Sequence, residues 1–136
     1  TPELERGRYL VEALGHCAEC HTPRTALGGL SQRDWMAGAP NPSGPGRIPA
    51  IHPKTLNWSV EEIAYYLETG FTPDFDSAGG HMARVVSNFA RLPATDRLAV
   101  AAGCDQPFRA QPRKLLADRR LPRAKPLFQL GHRFFT

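Results

Sequence analysis

The stretch Cys17-Ala18-Glu19-Cys20-His21 constrains this chain more than any other. It reads C-x-x-C-H, the attachment signal for a c-type haem. Each cysteine can form a thioether with a vinyl group of the macrocycle. His21, the next residue, can then reach the iron from the proximal side. A dithiol redox pair needs only C-x-x-C, and a zinc site normally needs a second ligand pair. The histidine directly after Cys20 favours haem over both. A covalently held macrocycle would also add a large apolar surface to the modest core that a chain of 136 residues can bury.

That length suits one domain. Of three cysteines, two belong to the motif. Cys104 is left over, so a multi-disulfide framework is excluded, and a buried, unreactive thiol is the expected state. No apolar run is long enough to cross a bilayer. The chain starts at Thr1-Pro2-Glu3 without an initiator methionine. The expectation is an exported protein trimmed from a precursor with a signal peptide.

The formal charge of +4 is unevenly placed. Residues 103–136 hold eight Arg or Lys and two acids, a balance of +6, which leaves residues 1–102 at −2. The basic character therefore belongs to a Pro- and Arg-rich C-terminal segment. No zinc-finger spacing or basic-aromatic sheet motif accompanies it, so nucleic acid is not an expected partner.

Along the chain, Leu4, Tyr9-Leu10 and Leu14 recur near helical spacing, which predicts a helix over residues 3–15. Pro2 and the early glutamates suit its start. Gly7 inside it costs stability unless another helix approaches closely there. Gly15 should end it just before the motif, and Pro23 should turn the chain away after His21. Residues 25–57, rich in Gly and Pro, read as mostly irregular, a length of loop that a cofactor would give something to wrap. Ser31–Ala37 is expected to form a helical turn. Ser59, three residues before Glu62, opens a second helix with a capping-box pattern. Val60, Ile63, Ala64 and Leu67 form its apolar face, and Gly70 stops it. Residues 71–82 read as a loop. Val85, Val86, Phe89 and Leu92 continue at helical spacing to Pro93. Thr95 and Asp96 can start a last helix through Leu98, Val100 and Ala102, which Gly103 weakens. Residues 114–121 are expected to form one short helix, with Phe128, Phe134 and Phe135 available to cover a surface.

A second axial ligand is expected from Met82, whose thioether is a soft, neutral donor. Gly79-Gly80 before it would allow the backbone close to the ring. Met36 and His81 are its rivals. His16 abuts the motif and reads as exposed or second to His21. Arg24 is either a partner for a haem propionate or a solvent-facing arginine. Trp35 is either another propionate partner or packing at the core edge.

Taken together, Gly7-Arg8-Tyr9-Leu10, Cys17 to Arg24, Asn57-Trp58-Ser59, Gly79-Gly80-His81-Met82 and Leu92 to Leu98 resemble the small class I c-type cytochromes. The likeness is strongest to monohaem cytochrome domains or subunits of periplasmic dehydrogenases, and it covers roughly residues 3–102. It implies an all-α fold, the small class I cytochrome c fold with long haem-wrapping loops, whose first and last helices cross near Gly7. It implies one haem c attached through Cys17 and Cys20, with His21 and Met82 on the iron. The expected division is a cytochrome domain over 1–102 and an atypical basic extension over 103–136. The departure begins at Ala101-Ala102-Gly103-Cys104, where such cytochromes usually place an aromatic after a similar alanine pair.

The expected function is periplasmic one-electron transfer with a redox protein or dehydrogenase as partner, rather than catalysis. Two other classes remain open at this point. One is a haem enzyme or gas-binding protein with an open distal site. The other is a haem-carrying structural or assembly subunit that acts, or forms a homo-oligomer, through residues 103–136.

Overall fold

A computed structural model describes residues 1–105 of the chain. The readings of a short helix over 114–121 and of a phenylalanine surface after it lie outside the described residues, as does the rest of the basic segment. The fold is mostly helical, as expected. In order it comprises α1 (Pro2–Tyr9), a π-helical turn (Leu10–Leu14), α2 (Cys17–His21), β1 (Ala39–Pro40), β2 (Arg47–Ile48), α3 (Pro53–Leu56), α4 (Val60–Thr69), α5 (Gly80–Phe89) and α6 (Ala94–Asp105). The two strands pair antiparallel, Ala39 opposite Ile48. Among the described residues, no helix is long and apolar enough to cross a membrane.

The first helix starts as predicted: the Thr1 hydroxyl accepts from the Leu4 amide and Pro2 occupies the first turn. It does not run as one α-helix to Gly15. Over its last turn the hydrogen bond widens to i→i+5, and the Gly15 amide donates to Leu10 O at 2.6 Å. Gly15 ends the helix with an ordinary right-handed backbone, and the left-handed residue is His16 (φ 50°). The lack of a side chain at Gly15 serves packing instead. A Cβ there would lie 3.2 Å from the Phe89 ring and 3.3 Å from Cys17 Sγ.

Helices α1 and α6 cross at Gly7, with no room for any side chain. A Cβ on Gly7 would lie 1.8 Å from Ala99 O. Gly103 faces the same crossing, and its Cβ would meet the Gly7 carbonyl carbon at 3.1 Å. The last helix continues through Gly103 to Asp105. The crossing tolerates a residue of no size at 103, which offsets the cost of glycine in a helix. Arg6 and Asp96 staple the two helices at their edge, Nε to Oδ1 at 3.0 Å and Nη2 to Oδ2 at 2.7 Å. The hydrogen bond from Arg6 holds the Asp96 carboxyl below its usual range.

The core lies where α1, its π turn, α2, α4 and α6 meet. Leu10, Val11, Ala18, Met36, Ile63, Ala64, Leu67, Val100 and Ala101 are buried there. The α4 capping box is present in both directions: Ser59 N donates to Glu62 Oε2 at 2.7 Å, and Glu62 N donates to Ser59 Oγ at 3.2 Å. Gly70 then takes the left-handed conformation (φ 80°) that ends the helix. One expectation needs correction beyond this. The loop expected over 71–82 is shorter, because α5 begins at Gly80. Helix α6 buries Arg97 while leaving Leu98 42% exposed.

Candidate functional site

The attachment motif is the whole of α2. Pro23 follows two residues after its end, and Thr22 between them takes the extended backbone (φ −119°, ψ 132°) that a following proline demands. Within one turn of helix, positions 17, 20 and 21 share a side. Cys17 is half-buried, Cys20 is exposed, and His21 is buried. Burial pushes the Cys17 thiol up to about 11. The short helix thus presents two thiols and one imidazole together, the last turned inward.

The orientation of His21 is set by backbone. Its Nδ1 lies 2.8 Å from Pro49 O. A carbonyl can only accept, so Nδ1 carries the proton and donates it. Nε2 is then left with its lone pair, the tautomer that an axial imidazole needs. Burial lowers the imidazole's proton affinity, and the Pro49 contact opposes that only in part. The ring is thereby kept neutral over a wider range of pH.

The long irregular segment is what supplies Pro49, and its backbone is bonded to the motif, to the two residues after it and to itself. Gly38 N donates to His21 O at 2.7 Å, and Ile51 N donates to Met36 O at 3.0 Å. Met36 N donates to Thr22 Oγ1 at 3.0 Å, inside the protein, where Thr22 is 1% exposed. Ser31 N donates to Pro23 O at 2.9 Å. Residues 31–51 are therefore wrapped on α2 and its exit.

The other candidate ligands separate clearly. Met36 is buried in the core, in a left-handed backbone conformation (φ 58°), tied by its own amide to the residue after His21. His81 is exposed, its Nε2 3.2 Å from Ser43 Oγ. Met82, in the first turn of α5, is partly buried against the core cluster that Cys17, Phe89 and Cys104 also contact. A Cβ at Gly79 or Gly80 would meet nothing within 4 Å, so open space lies beside the backbone before Met82. His16 is exposed, as expected. Arg24 is bound at the surface, to the Glu19 carboxylate and to Gly28 O at 3.3 Å. Trp35 packs, partly buried, at the edge of the core. Cys104 is a free thiol, pushed up to about 12 by burial and then by nearby Cys17. It suits a packing role better than a reactive one.

The donor set fits a haem better than a bare ion. Among the described residues, no group of three or more His, Cys, Asp or Glu side chains could hold a metal ion. What the motif offers instead is two thiols for covalent attachment and one imidazole with Nε2 free.

Three contributors were not singled out from sequence: Pro49, Thr22 and Arg97. Arg97 alone carried a signal, since it shares helical spacing with Val100, Ala101 and Cys104 on the buried side of α6. Elsewhere on the surface, Glu61, Glu62, Tyr65, Phe71 and Phe75 line a groove that offers no sulfur or imidazole ligand.

No protein-family model matches the chain. Several curated proteins resemble much of it. A "Diheme cytochrome c-type" protein of Cereibacter sphaeroides is 62% identical over 102 residues, covering 75% of this chain and 34% of the relative. A nicotinate dehydrogenase subunit of Pseudomonas putida is 39% identical over 111 residues, 74% of this chain and 9% of the relative. The "Fructose dehydrogenase cytochrome subunit" of Gluconobacter japonicus is 37% identical over 100 residues, 72% of this chain and 21% of the relative. The chain thus spans about a third or less of each of these relatives. Within that span it is homologous to a diheme c-type cytochrome and to cytochrome subunits of dehydrogenases.

Proposed function

We propose that this chain is an exported, periplasmic one-electron carrier of the class I cytochrome c fold. It would hold one haem c through Cys17 and Cys20, with His21 and Met82 as the axial ligands. The observation that carries this reading is the His21 hydrogen bond to Pro49 O, which leaves Nε2 available on the same helix as the two thiols. Such a haem supplies an iron that alternates between ferric and ferrous states. The protein's part is to hold the ring, keep His21 neutral and oriented, and limit water at the iron.

Met82 is favoured over its rivals by position. Met36 is anchored beside His21 through Thr22, on the proximal ligand's own side. His81 faces Ser43 and solvent. A thioether also favours ferrous iron more than a second imidazole does. The electron partner is a redox protein or a dehydrogenase, in keeping with the names of the relatives. The carrier takes in α6 to Asp105, because Gly103 and Cys104 pack with it, and the basic segment after it is the extension through which a second copy is a candidate partner.

Spectra of the purified haem protein test this directly. The expected result is a near-infrared methionine-to-ferric-iron band, with no carbon monoxide binding by the reduced form. Carbon monoxide binding without that band would overturn the carrier and restore an open-site haem protein. Mass spectrometry of Cys17→Ala and Cys20→Ala variants should show loss of doubly attached haem.

A further inference from the structure

Helix α5 carries the proposed distal ligand on its first turn, yet few of its own side chains hold it in place. Val86 is the only one of its ten residues that is fully buried. Its N-cap is Gly79, which offers no side-chain hydrogen bond. Phe89, partly buried, lies against the bare backbone at Gly15. A helix with so little buried surface gains little from packing and needs another anchor.

Arg97 supplies that anchor. It is 7% exposed, although it is a charged residue in an otherwise apolar stripe of α6. Its Nη1 donates to Leu92 O and, at 3.4 Å, to Ala90 O, the carbonyls of the turn leaving α5. Its Nη2 lies 3.0 Å from Glu68 Oε2 near the end of α4. One planar guanidinium thereby ties the C-terminal end of α5 to both α4 and α6. A buried cation is costly unless its donors are met, and a rigid fork meets several acceptors at once. The half-exposed Glu68 leaves the pair partly hydrated, which lowers that cost.

We infer that Arg97 is a positioning residue for Met82: it fixes the far end of α5 and so sets how firmly the near end holds its sulfur toward the iron. The inference rests on the assignment of Met82 as distal ligand. Loss of the clamp lets α5 shift as a unit, because its own hydrogen bonds are internal and survive. The ligand would then yield more readily to a competitor at the same iron.

The test uses the ferric haem protein titrated with imidazole, following loss of the near-infrared methionine band. Arg97→Gln is expected to need about tenfold less imidazole for half displacement. Arg97→Lys, which keeps the charge but loses the fork, should fall between Gln and the parent. Val100→Ala serves as the control: it empties a core position in the same helix, and denaturant unfolding shows how much stability each variant loses. It should stay within about twofold of the parent in the imidazole titration. Arg97 variants that follow Val100→Ala at equal loss of stability would overturn the inference while leaving Met82 as ligand. A parent protein without the band would overturn the Met82 assignment, and the inference with it. If Arg97→Gln does not fold, Arg97→Lys against Val100→Ala decides the matter on the same criterion.

Discussion

The two sides of the proposed iron site are held in different ways. On the His21 side, nearly every restraint is a backbone group: Pro49 O on Nδ1, Gly38 N on His21 O, and Met36 N on the buried Thr22 hydroxyl. On the Met82 side, a ten-residue helix with one buried side chain is clamped at its far end by a single arginine. The contrast separates a ligand fixed by what surrounds it from a ligand fixed by where its helix is fastened. Changes on the first side should lower stability before they alter the ligand. Changes on the second should loosen the ligand at little expense to global stability.

Gly38→Ala strikes the first side hardest. Gly38 has φ +80°, and a Cβ there would lie 2.7 Å from Ile48 O and 2.9 Å from Ala50 N, both backbone atoms. The clash presses on the strand that leads into Pro49. A loss of about 3 kcal/mol is expected, combining left-handed strain with overpacking. Denaturant unfolding of the haem protein measures it. A loss below about 1 kcal/mol would mean that the loop moves freely and that His21 is not held by it.

Thr22→Val is the sharper cut, because shape is kept and only the acceptor is lost. The Met36 amide would then be left without its partner in a site from which water is excluded. The expected cost is about 2 kcal/mol, and Thr22→Ser should restore most of it. The imidazole titration of Thr22→Val should stay close to that of the parent. A large shift there would break the comparison, by showing that the His21 side also governs the methionine.

The parts that were legible in the sequence are those decided within a few residues. The Ser59–Glu62 capping box and the Gly70 stop each depend on near neighbours, and each formed as read. Pro23 likewise ended α2 through its effect on Thr22. The misses depend on contacts between distant segments. The i→i+5 turn before Gly15 ends where Phe89 and Cys17 crowd that glycine. The burial of Arg97 requires carbonyls from one turn and a carboxylate from α4, neither of which periodicity can display. Gly103 read as a weak point of the last helix because its local propensity is poor, whereas its place is opposite Gly7 in the crossing. For the candidate site, the thiols and imidazole proposed to hold the haem were legible as a motif, but Pro49 was not: a carbonyl acceptor leaves no trace in side-chain type.

The smallest expected effect lies where the two sides touch. Ser43, in the loop wrapped on α2, has its hydroxyl 3.2 Å from His81 Nε2, beside Met82 on α5. The contact is exposed, so water replaces it readily, and Ser43→Ala should change stability by only a few tenths of a kcal/mol. Its imidazole titration should match the parent's. The reason is geometric as well as energetic: this contact joins α5 near its start, where the helix is already placed by its far anchor. A Ser43→Ala protein that released its methionine as readily as Arg97→Gln would reverse that order. The loop on the His21 side would then be the true fastening of α5, and one scaffold would hold both ligands.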